Sequence, residues 1–290
     1  MNEIINGDCL EVLKTLESES INCVITSPPY WQLRDYGWNG QWGLEKTYQE
    51  YLEHLWQLMD EIYRVLKPDG TVWINLGDTY SSNRWTTAPS STGISGVYAD
   101  ISTTKDINEP NKCLLLIPHR FAIGAVDRGW ILRNDIIWAK RNGMPESVTD
   151  RFSKKHEFVF FMVKSQKYYF DLDSIRDKHT PKSASIGITS KDFHYDNPLG
   201  KNPGSVSDFW GIPTTPSSEK HFATFNTKLI DKPIIAGCPE GGIILDPFCG
   251  TATTLLRAKQ LKRNYIGIEG SKEYVEIANK RLKNYGDILI

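Results

Sequence analysis

The segment Thr26-Ser27-Pro28-Pro29-Tyr30 combines residue types that can activate a weak nitrogen nucleophile. An amine conjugated to an aromatic ring delocalises its lone pair, so a catalyst must accept hydrogen bonds from its N–H groups and direct the lone pair outward. The Ser27 hydroxyl and the Pro28 carbonyl are suitable acceptors, because two prolines fix φ angles in the segment. Tyr30 offers a ring on which a base can stack. These residues alone are also compatible with a proline turn and a packed tyrosine.

A second segment, near the end of the chain, is typical of a nucleoside pocket. The turn Asp246-Pro247-Phe248-Cys249-Gly250-Thr251 follows an apolar run, and Glu269 ends the next apolar run. An acid at that position accepts hydrogen bonds from ribose hydroxyls. Gly250 is the single glycine of the turn, so no phosphate cradle is expected, and S-adenosylmethionine fits better than a dinucleotide. Taken alone, Asp246 could equally cap a helix, and Glu269 could be a surface acid.

Both segments stand at the ends of predicted strands, where α/β enzymes bind ligands. Apolar runs predict strands at Ile21–Ile25 and Gly242–Leu245, and the latter begins a strand and helix alternation that is typical of a doubly wound sheet. The remaining predicted elements are helices at Leu10–Leu16, Tyr48–Leu66 (closed by Lys67–Gly70), Leu114–Gly129, Lys228–Ala236 (limited by Pro233), Thr253–Gln260 and Lys272–Lys283, and strands at Thr71–Leu76, Ile131–Ala139, Glu157–Val163 and Tyr265–Ile268.

The pattern as a whole predicts an α/β fold with a mixed, mostly parallel, doubly wound, Rossmann-like sheet and a smaller lobe. Residues 1–164 and 208–290 are expected to form the catalytic and cofactor-binding domain. Residues 81–111, rich in Ser, Thr, Gly and Asn, are expected to be a mobile loop. Residues 165–207 have no sustained period, and we predict the smaller lobe there.

Composition limits the alternatives. The net charge of −1 neither requires nor excludes nucleic acid, since local basic faces bind phosphates. No apolar stretch is long enough for a membrane span, the start has no leader, and the five cysteines form no CxxC pair, so a reducing cytoplasm is expected. The six histidines show no metal-ligand spacing, so no metal is predicted.

Some basic and aromatic residues are weaker candidates for contacts with a nucleic acid. Arg151, Lys154 and Lys155, with Arg141, are typical of a solvated face that can also touch phosphates. The residues that follow the tetrapeptide, Trp31, Arg34 and Tyr36, are candidates for a base pocket, although packing is the expected role of Trp31.

The two segments together resemble motifs IV and I of the permuted, beta-type amino-methyltransferases of DNA. In that family the catalytic half precedes the cofactor half, as Ser27-Pro28-Pro29-Tyr30 precedes Asp246–Thr251 here. Asn6-Gly7-Asp8 resembles the motif whose acid holds the cofactor adenine. Residues 208–213 and 221–225 resemble the segment that lines the methionine side of the cofactor.

The resemblance implies an S-adenosylmethionine-dependent methyltransferase that acts on a flipped base of double-stranded DNA, with residues 165–207 as target-recognition region. Ser in the first tetrapeptide position is usual for enzymes of cytosine N4, so the implied product is N4-methylcytosine. The implied catalytic residues are Ser27, Pro28, Pro29 and Tyr30, and the implied cofactor-binding residues are Asp8, Thr26, Thr224, Phe225, Asp246, Pro247, Phe248, Cys249, Gly250, Thr251 and Glu269.

The resemblance further implies a prokaryotic or phage-encoded enzyme that is a monomer or homodimer. It also implies a restriction-modification system whose cognate endonuclease acts separately. Adenine N6 methylation is the nearest alternative, because Ser27 can accept a hydrogen bond from either amine. A protein-glutamine methyltransferase and a non-catalytic DNA-binding module are the more distant alternatives. Cys249 is expected to be a small turn residue, not a nucleophile.

Overall fold

The computed structural model describes residues 2–38, 40–81, 109–143, 146–176, 206–214 and 226–287, and these alternate between strands and helices. The strands are β1 (Asn2–Asn6), β2 (Ile21–Thr26), β3 (Leu66–Leu76), β4 (Ile131–Ala139), β5 (His156–Val163), β6 (Phe209–Gly211), β7 (Ile243–Asp246) and β8 (Asn264–Glu269). The helices are α1 (Cys9–Thr15), α2 (Tyr48–Val65), α3 (Ile117–Asp127), α4 (Thr227–Gly237), α5 (Thr253–Gln260) and α6 (Lys272–Asp287).

The eight strands of the described residues form one sheet in the order β1-β8-β7-β2-β3-β5-β4-β6. Among them, β5 alone runs antiparallel to its neighbours. This confirms the prediction of a mixed, mostly parallel sheet. Strand β2 pairs directly with β7, with Cys23 opposite Ile244 and Val24 opposite Leu245. The two segments with candidate chemistry, which come from opposite ends of the chain, therefore leave the sheet side by side.

Helices cover both faces of the sheet. Helices α1, α2 and α3 bury side chains such as Leu55 and Phe121 in one apolar core. Helices α4, α5 and α6 bury Ile234 and Leu255, among others, in a second core on the opposite face. Each helix is amphipathic because one side meets the sheet, and the arrangement is the doubly wound one predicted from the sequence.

Helix α2 ends at Val65, so the predicted end of this helix before Lys67–Gly70 is confirmed, although these four residues fall within the bounds of β3. The strand starts at Leu66, directly after α2, and Leu66 is fully buried opposite Ile21 on β2. The pairing of β2 with β3 shifts its register between Ile21 and Cys23, which accommodates the residues in between. Lys67–Gly70 thus stand opposite Asn22 alone, as an irregularity in the ladder that suits the Pro-Asp-Gly sequence.

Helix α4 passes through Pro233, which the sequence analysis expects to limit it. Pro233 and its neighbour Ile234 are both buried against the second core. A proline inside a helix costs about 3 kcal/mol, and the burial of this apolar face offsets that cost. The sequence analysis also misses β1 and β6, which are short and become strands only by pairing with β8 and β4.

The predicted smaller lobe and mobile loop lie mostly outside the described residues. Residues 165–176 are described, and they pack on the body of the domain, since Tyr169 N–H donates to the Asp69 carbonyl at 2.8 Å and Asp171 N–H to the Ala236 carbonyl at 2.9 Å. The predicted boundary at residue 165 and the recognition role of 165–207 stay predictions. No helix within the described ranges is both long enough and apolar enough to cross a membrane.

Candidate active site

A cavity of about 460 Å³ opens at the carboxyl ends of β2, β7 and β8. Its size is that of a small-molecule site. The predicted catalytic residues Ser27, Pro28, Pro29 and Tyr30 line it, together with the predicted cofactor residues Asp8, Asp246, Pro247, Phe248, Cys249, Gly250, Thr251 and Glu269. Thr26 lies directly before this group on β2, and Thr224 and Phe225 lie outside the described residues. The two candidate segments therefore share one cavity.

Asp246 is the most deeply buried acid of this cavity, with 2 % exposure. Its Oδ1 accepts a hydrogen bond from the Phe248 N–H at 3.1 Å, so it shapes the turn and does not cap α5. Burial raises the pKa of Asp246 to about 6. The hydroxyls of Thr26 and Thr254 lie beside the Asp246 carboxyl and lower its pKa, which partly offsets the effect of burial. Neither hydroxyl reaches good hydrogen-bond geometry. A cation bound here would hold this carboxyl in its charged form.

The turn after β7 is held by the end of β8. Cys249 N–H donates to the Ile268 carbonyl at 3.0 Å, and Gly250, at φ +50°, donates its N–H to Glu269 Oε2 at 3.0 Å. Glu269 Oε1 accepts from the Ser271 N–H at 2.8 Å. Burial raises the pKa of Glu269, although these two N–H groups partly offset the effect. Glu269 is thus not a surface acid, and its carboxylate is fixed at the cavity wall.

Aromatic rings that the sequence analysis does not assign to the cofactor enclose the same end of the cavity. The Trp38 ring lies directly against Gly270, where a Cβ would be 2.3 Å from it. Trp42 packs edge-on against Phe248, with ring centroids 5.2 Å apart. Tyr36 lies edge-on to Tyr274 at 6.4 Å. Flat rings beside Glu269 are suited to the adenine of a nucleoside.

Tyr30 takes part in a polar network at the other end of the cavity. Its hydroxyl lies 2.8 Å from Glu157 Oε2 and 3.1 Å from Asn75 Oδ1, both of which are acceptors. Glu157 also forms a close ion pair with Lys140. Burial and the neighbouring Glu157 raise the pKa of Tyr30 well above its usual value, so Tyr30 stays a neutral donor. The Tyr30 hydroxyl has a single proton, and it donates that proton to the Glu157 carboxylate, which is a stronger acceptor than the Asn75 amide oxygen.

Asn75 is oriented by the backbone of β5. Its Nδ2 donates to the Phe158 carbonyl at 3.0 Å, which directs Oδ1 toward Ser27 and Tyr30. The Ser27 hydroxyl lies 3.5 Å from this oxygen and is oriented to donate to it. A serine that donates its proton to Asn75 keeps its lone pairs available for a substrate amine.

Backbone groups around the tetrapeptide are held in place as well. The Tyr51 hydroxyl on α2 donates to the Pro29 carbonyl at 2.9 Å. Gly77 touches the Tyr30 ring so closely that a Cβ there would lie 2.6 Å from it. Trp31 is buried, and its indole N–H donates to the Glu45 carbonyl at 3.0 Å, so its role is packing. The tetrapeptide is therefore held by packing and hydrogen bonds from neighbouring elements.

The sequence analysis misses Asn75, Lys140 and Glu157. Each is an ordinary polar residue near the end of a strand, with no motif in its neighbours. Only the position at the carboxyl edge of the sheet is a usable signal. Cys249, by contrast, fits the expected role, because it is buried and its thiol pKa is raised well above the usual value, which disfavours a thiolate nucleophile.

A doubly wound sheet with a nucleoside-type pocket beside a rigid acceptor loop defines the class of group-transfer enzymes that use an adenosine-containing donor. The chain matches the family described as "DNA methylase" over residues 21–280 and belongs to it. This confirms the family resemblance derived from the two motifs. It also confirms that the chain is a methyltransferase of DNA.

Known proteins are similar along nearly the whole chain. The Type II methyltransferase M.Cfr9I of Citrobacter freundii is 41 % identical over 97 % of this chain and 87 % of its own length. The solved PvuII DNA methyltransferase (cytosine-N4-specific) has a TM-score of 0.67 at 20 % identity and covers 97 % of this chain and 86 % of its own. A putative DNA modification methylase from Thermus thermophilus, solved in complex with S-adenosyl-L-methionine, has a TM-score of 0.62 at 23 % identity, covering 98 % and 95 %.

Proposed function

We propose that this protein transfers the methyl group of S-adenosylmethionine to the N4 amine of cytosine in duplex DNA. The observation that carries the proposal is the shared cavity, in which Ser27 and Asp246 leave adjacent strands. A base amine at Ser27 and a sulfonium methyl near Asp246 would then be neighbours. The prediction of this cofactor is confirmed at the level of the family, and the residue assignments below are ours.

The cofactor is assigned to the end of the cavity formed by β7 and β8. Asp246 faces the cofactor ammonium group, whose positive charge compensates the buried carboxylate. Glu269 accepts hydrogen bonds from the ribose hydroxyls through the lone pairs that Gly250 and Ser271 leave unused. Asp8 is assigned to the adenine amine, and its Oδ1 already caps α1 by accepting from Leu10 N–H at 2.9 Å. The absence of a phosphate cradle in this turn suits a donor without phosphate.

The target base is assigned to the end of the cavity formed by β2 and β3. The Ser27 hydroxyl and the Pro28 carbonyl accept the two N–H groups of the amine, which favours a lone pair directed at the methyl carbon. The Pro29 carbonyl already accepts a hydrogen bond from the Tyr51 hydroxyl, so we assign the Pro28 carbonyl as the second acceptor for the amine. The base stacks on Tyr30, whose hydroxyl is held by Glu157.

The transfer is a direct displacement at the methyl carbon. The amine nitrogen forms the new N–C bond, the S–C bond of the sulfonium breaks, and S-adenosylhomocysteine leaves. The amine then loses one proton to solvent. Neither a covalent enzyme intermediate nor a thiolate is required, in agreement with the raised thiol pKa of Cys249.

Cytosine is chosen over adenine because of Ser27, whose position in the tetrapeptide is usual for N4 enzymes, and because the PvuII neighbour is named as cytosine-N4-specific. The Type II relatives suggest a role in a restriction-modification system, with an endonuclease acting separately. A prokaryotic cytoplasm and a monomeric or homodimeric state remain predictions.

The test is incubation with methyl-labelled S-adenosylmethionine and mixed-sequence duplex DNA, followed by digestion to nucleosides and chromatography. Label in N4-methylcytosine is the expected result. Label in N6-methyladenine would retain the site but replace cytosine by adenine as its target. Absence of label in DNA would contradict the proposal and favour a protein acceptor or a binding module.

A further inference from the structure

Phe152 is the most exposed large apolar side chain among the described residues, at 96 %. It belongs to the connection between β4 and β5, which comprises residues 140–155. Single exposed apolar side chains are common in folded proteins, so exposure by itself implies nothing. Three features of its surroundings suggest a role for Phe152: its position in the fold, the anchoring of its backbone and the charge of the connection.

The connection lies at the same edge of the sheet as the cavity. Strand β5 lies between β3 and β4 and runs antiparallel to both, so β4 has the same direction as β3. The connection therefore joins the end of β4 to the start of β5 at the carboxyl edge of the sheet. Lys140, the first residue of the connection, and Glu157, the second residue of β5, both line the cavity. Phe152 therefore lies on a connection whose two ends reach the cavity that a base would enter.

Both sides of Phe152 are anchored. The Arg151 guanidinium lies 4.0 Å from the centroid of the Tyr80 ring, and it also donates to the Phe152 carbonyl at 3.1 Å. Lys154 donates to the Asp78 carbonyl just beyond β3. Phe152 is thus presented on a fixed backbone while its ring stays in solvent.

The charge of the same connection is complementary to a nucleic acid. The connection carries five basic side chains and the two acids Glu146 and Asp150, although the whole protein has a net charge of −1. Lys140 and Arg151 are ion-paired with Glu157 and Glu146, and Asp150 is ion-paired with Lys112. Arg141, Lys154 and Lys155 lie outside the ion pairs of the described residues and supply the local positive charge. A local excess of positive charge attracts phosphates. The five basic residues are Lys140, Arg141, Arg151, Lys154 and Lys155.

We propose that Phe152 enters the base stack of duplex DNA next to the target base and occupies the space that the base leaves when it turns into the cavity. The inference rests on the proposed function and adds the residue that opens the duplex. A base inside a duplex cannot reach Ser27 without leaving the stack. Apolar wedges are a common means of unstacking DNA, and a ring replaces part of the lost stacking.

The test compares two duplexes and three variants. Both duplexes carry the sequence found methylated in treated plasmid DNA, and one has an abasic site opposite the target base, so that its pairing is already broken. The variants are Phe152→Ala, Phe152→Trp, and Ile123→Ala as a control, since Ile123 is 63 % exposed on α3. Thermal unfolding and cofactor binding confirm that each variant is folded.

We expect Phe152→Ala to lower kcat/KM on the paired duplex by roughly tenfold or more, and by less than about twofold on the abasic duplex. Phe152→Trp and Ile123→Ala should keep the wild-type values on both. An equal loss on the two duplexes, or no loss on either, would overturn the role of Phe152 while leaving the proposed function intact. A wild-type protein that leaves the plasmid DNA unmethylated would overturn both.

Discussion

At the scale of single residues, the site depends on which way a few protons point. Asn75 donates to the β5 backbone and therefore offers only an acceptor to Ser27 and Tyr30. Glu157 provides a stronger, charged acceptor for the Tyr30 proton. The Ser27 proton is then directed to Asn75, which leaves the Ser27 lone pairs available to a bound amine.

Replacing Ser27 by alanine removes the acceptor that orients the amine. We expect kcat to fall by roughly 100-fold, by analogy with the removal of one preorganised hydrogen-bond partner of a reacting group, with little change in cofactor affinity. Single-turnover methylation and calorimetric titration of S-adenosylmethionine measure the two effects. A variant with full turnover would show that Ser27 does not activate the amine.

The buried Asp246 predicts a pH dependence of cofactor binding. Its raised pKa, about 6, means that the folded protein without cofactor binds this proton more tightly than the unfolded chain. The contribution of this group to stability is therefore lost as the pH rises through about 6. The ammonium of the cofactor requires the ionised form, so its affinity should decrease as the pH falls below about 6, approaching tenfold per unit.

Calorimetric titration of S-adenosylmethionine between about pH 5 and 8, on the wild type and on Asp246→Asn, measures this dependence. The variant should bind more weakly at neutral pH and lose the inflection near pH 6. If the variant retains the same inflection, another group is responsible for it.

At the scale of elements, the ends of β2, β3, β7 and β8 line the cavity, and glycines permit close contacts there. Gly77 follows β3 and touches the Tyr30 ring, whereas Gly267 in β8 touches the turn after β7. A Cβ at Gly267 would lie 2.4 Å from Leu255 Cδ1 and 2.8 Å from Cys249 Sγ. The two glycines thus allow close packing at opposite ends of one cavity.

Substituting each glycine by alanine should affect the two ends of the cavity independently. Gly77→Ala displaces the Tyr30 ring, and we expect kcat to fall about tenfold or more while the cofactor Kd stays within about threefold. Gly267→Ala displaces the cofactor turn, and we expect the reverse. Steady-state kinetics and cofactor titration, with each variant serving as the control for the other, test this. Similar effects of both would mean that the two ends are not independent.

At the scale of the whole molecule, the proposed cofactor pocket lies where β1 and β8 meet. Strand β1 pairs with β8, and Asn6 Nδ2 donates to the carbonyls of Glu269 and Gly270 at 2.8 and 3.0 Å. A ligand across this junction binds the folded protein and not the unfolded chain. Binding must therefore raise the global stability.

We expect S-adenosylmethionine at about 100 times its Kd to raise the free energy of unfolding by about 2.7 kcal/mol. Glu269→Ala should weaken binding and thus reduce the shift in Tm at the same cofactor concentration. Glu240→Ala, which changes an exposed acid, is the matched control. An unchanged shift in Glu269→Ala would show that the ribose lies elsewhere.

The sequence by itself determined the parts that depend on neighbours along the chain. Strand–turn–helix patterns and their terminal residues are local, so they predicted the doubly wound fold, the tetrapeptide, the turn after β7 and the acid Glu269. The two motifs and their order along the chain were sufficient to identify the family. Local preference failed at Pro233, where burial against the sheet decided the conformation.

Tertiary structure alone decided which distant side chains complete the site. Tyr30 and Glu157 are 127 positions apart, and Ser27 and Asn75 are 48 apart, yet the sheet order places them in contact. Lys140 and Trp38 reach the cavity for the same reason. No sequence spacing encodes such pairs, because they depend on which strands become neighbours, and that follows from the burial of both faces of the sheet at once.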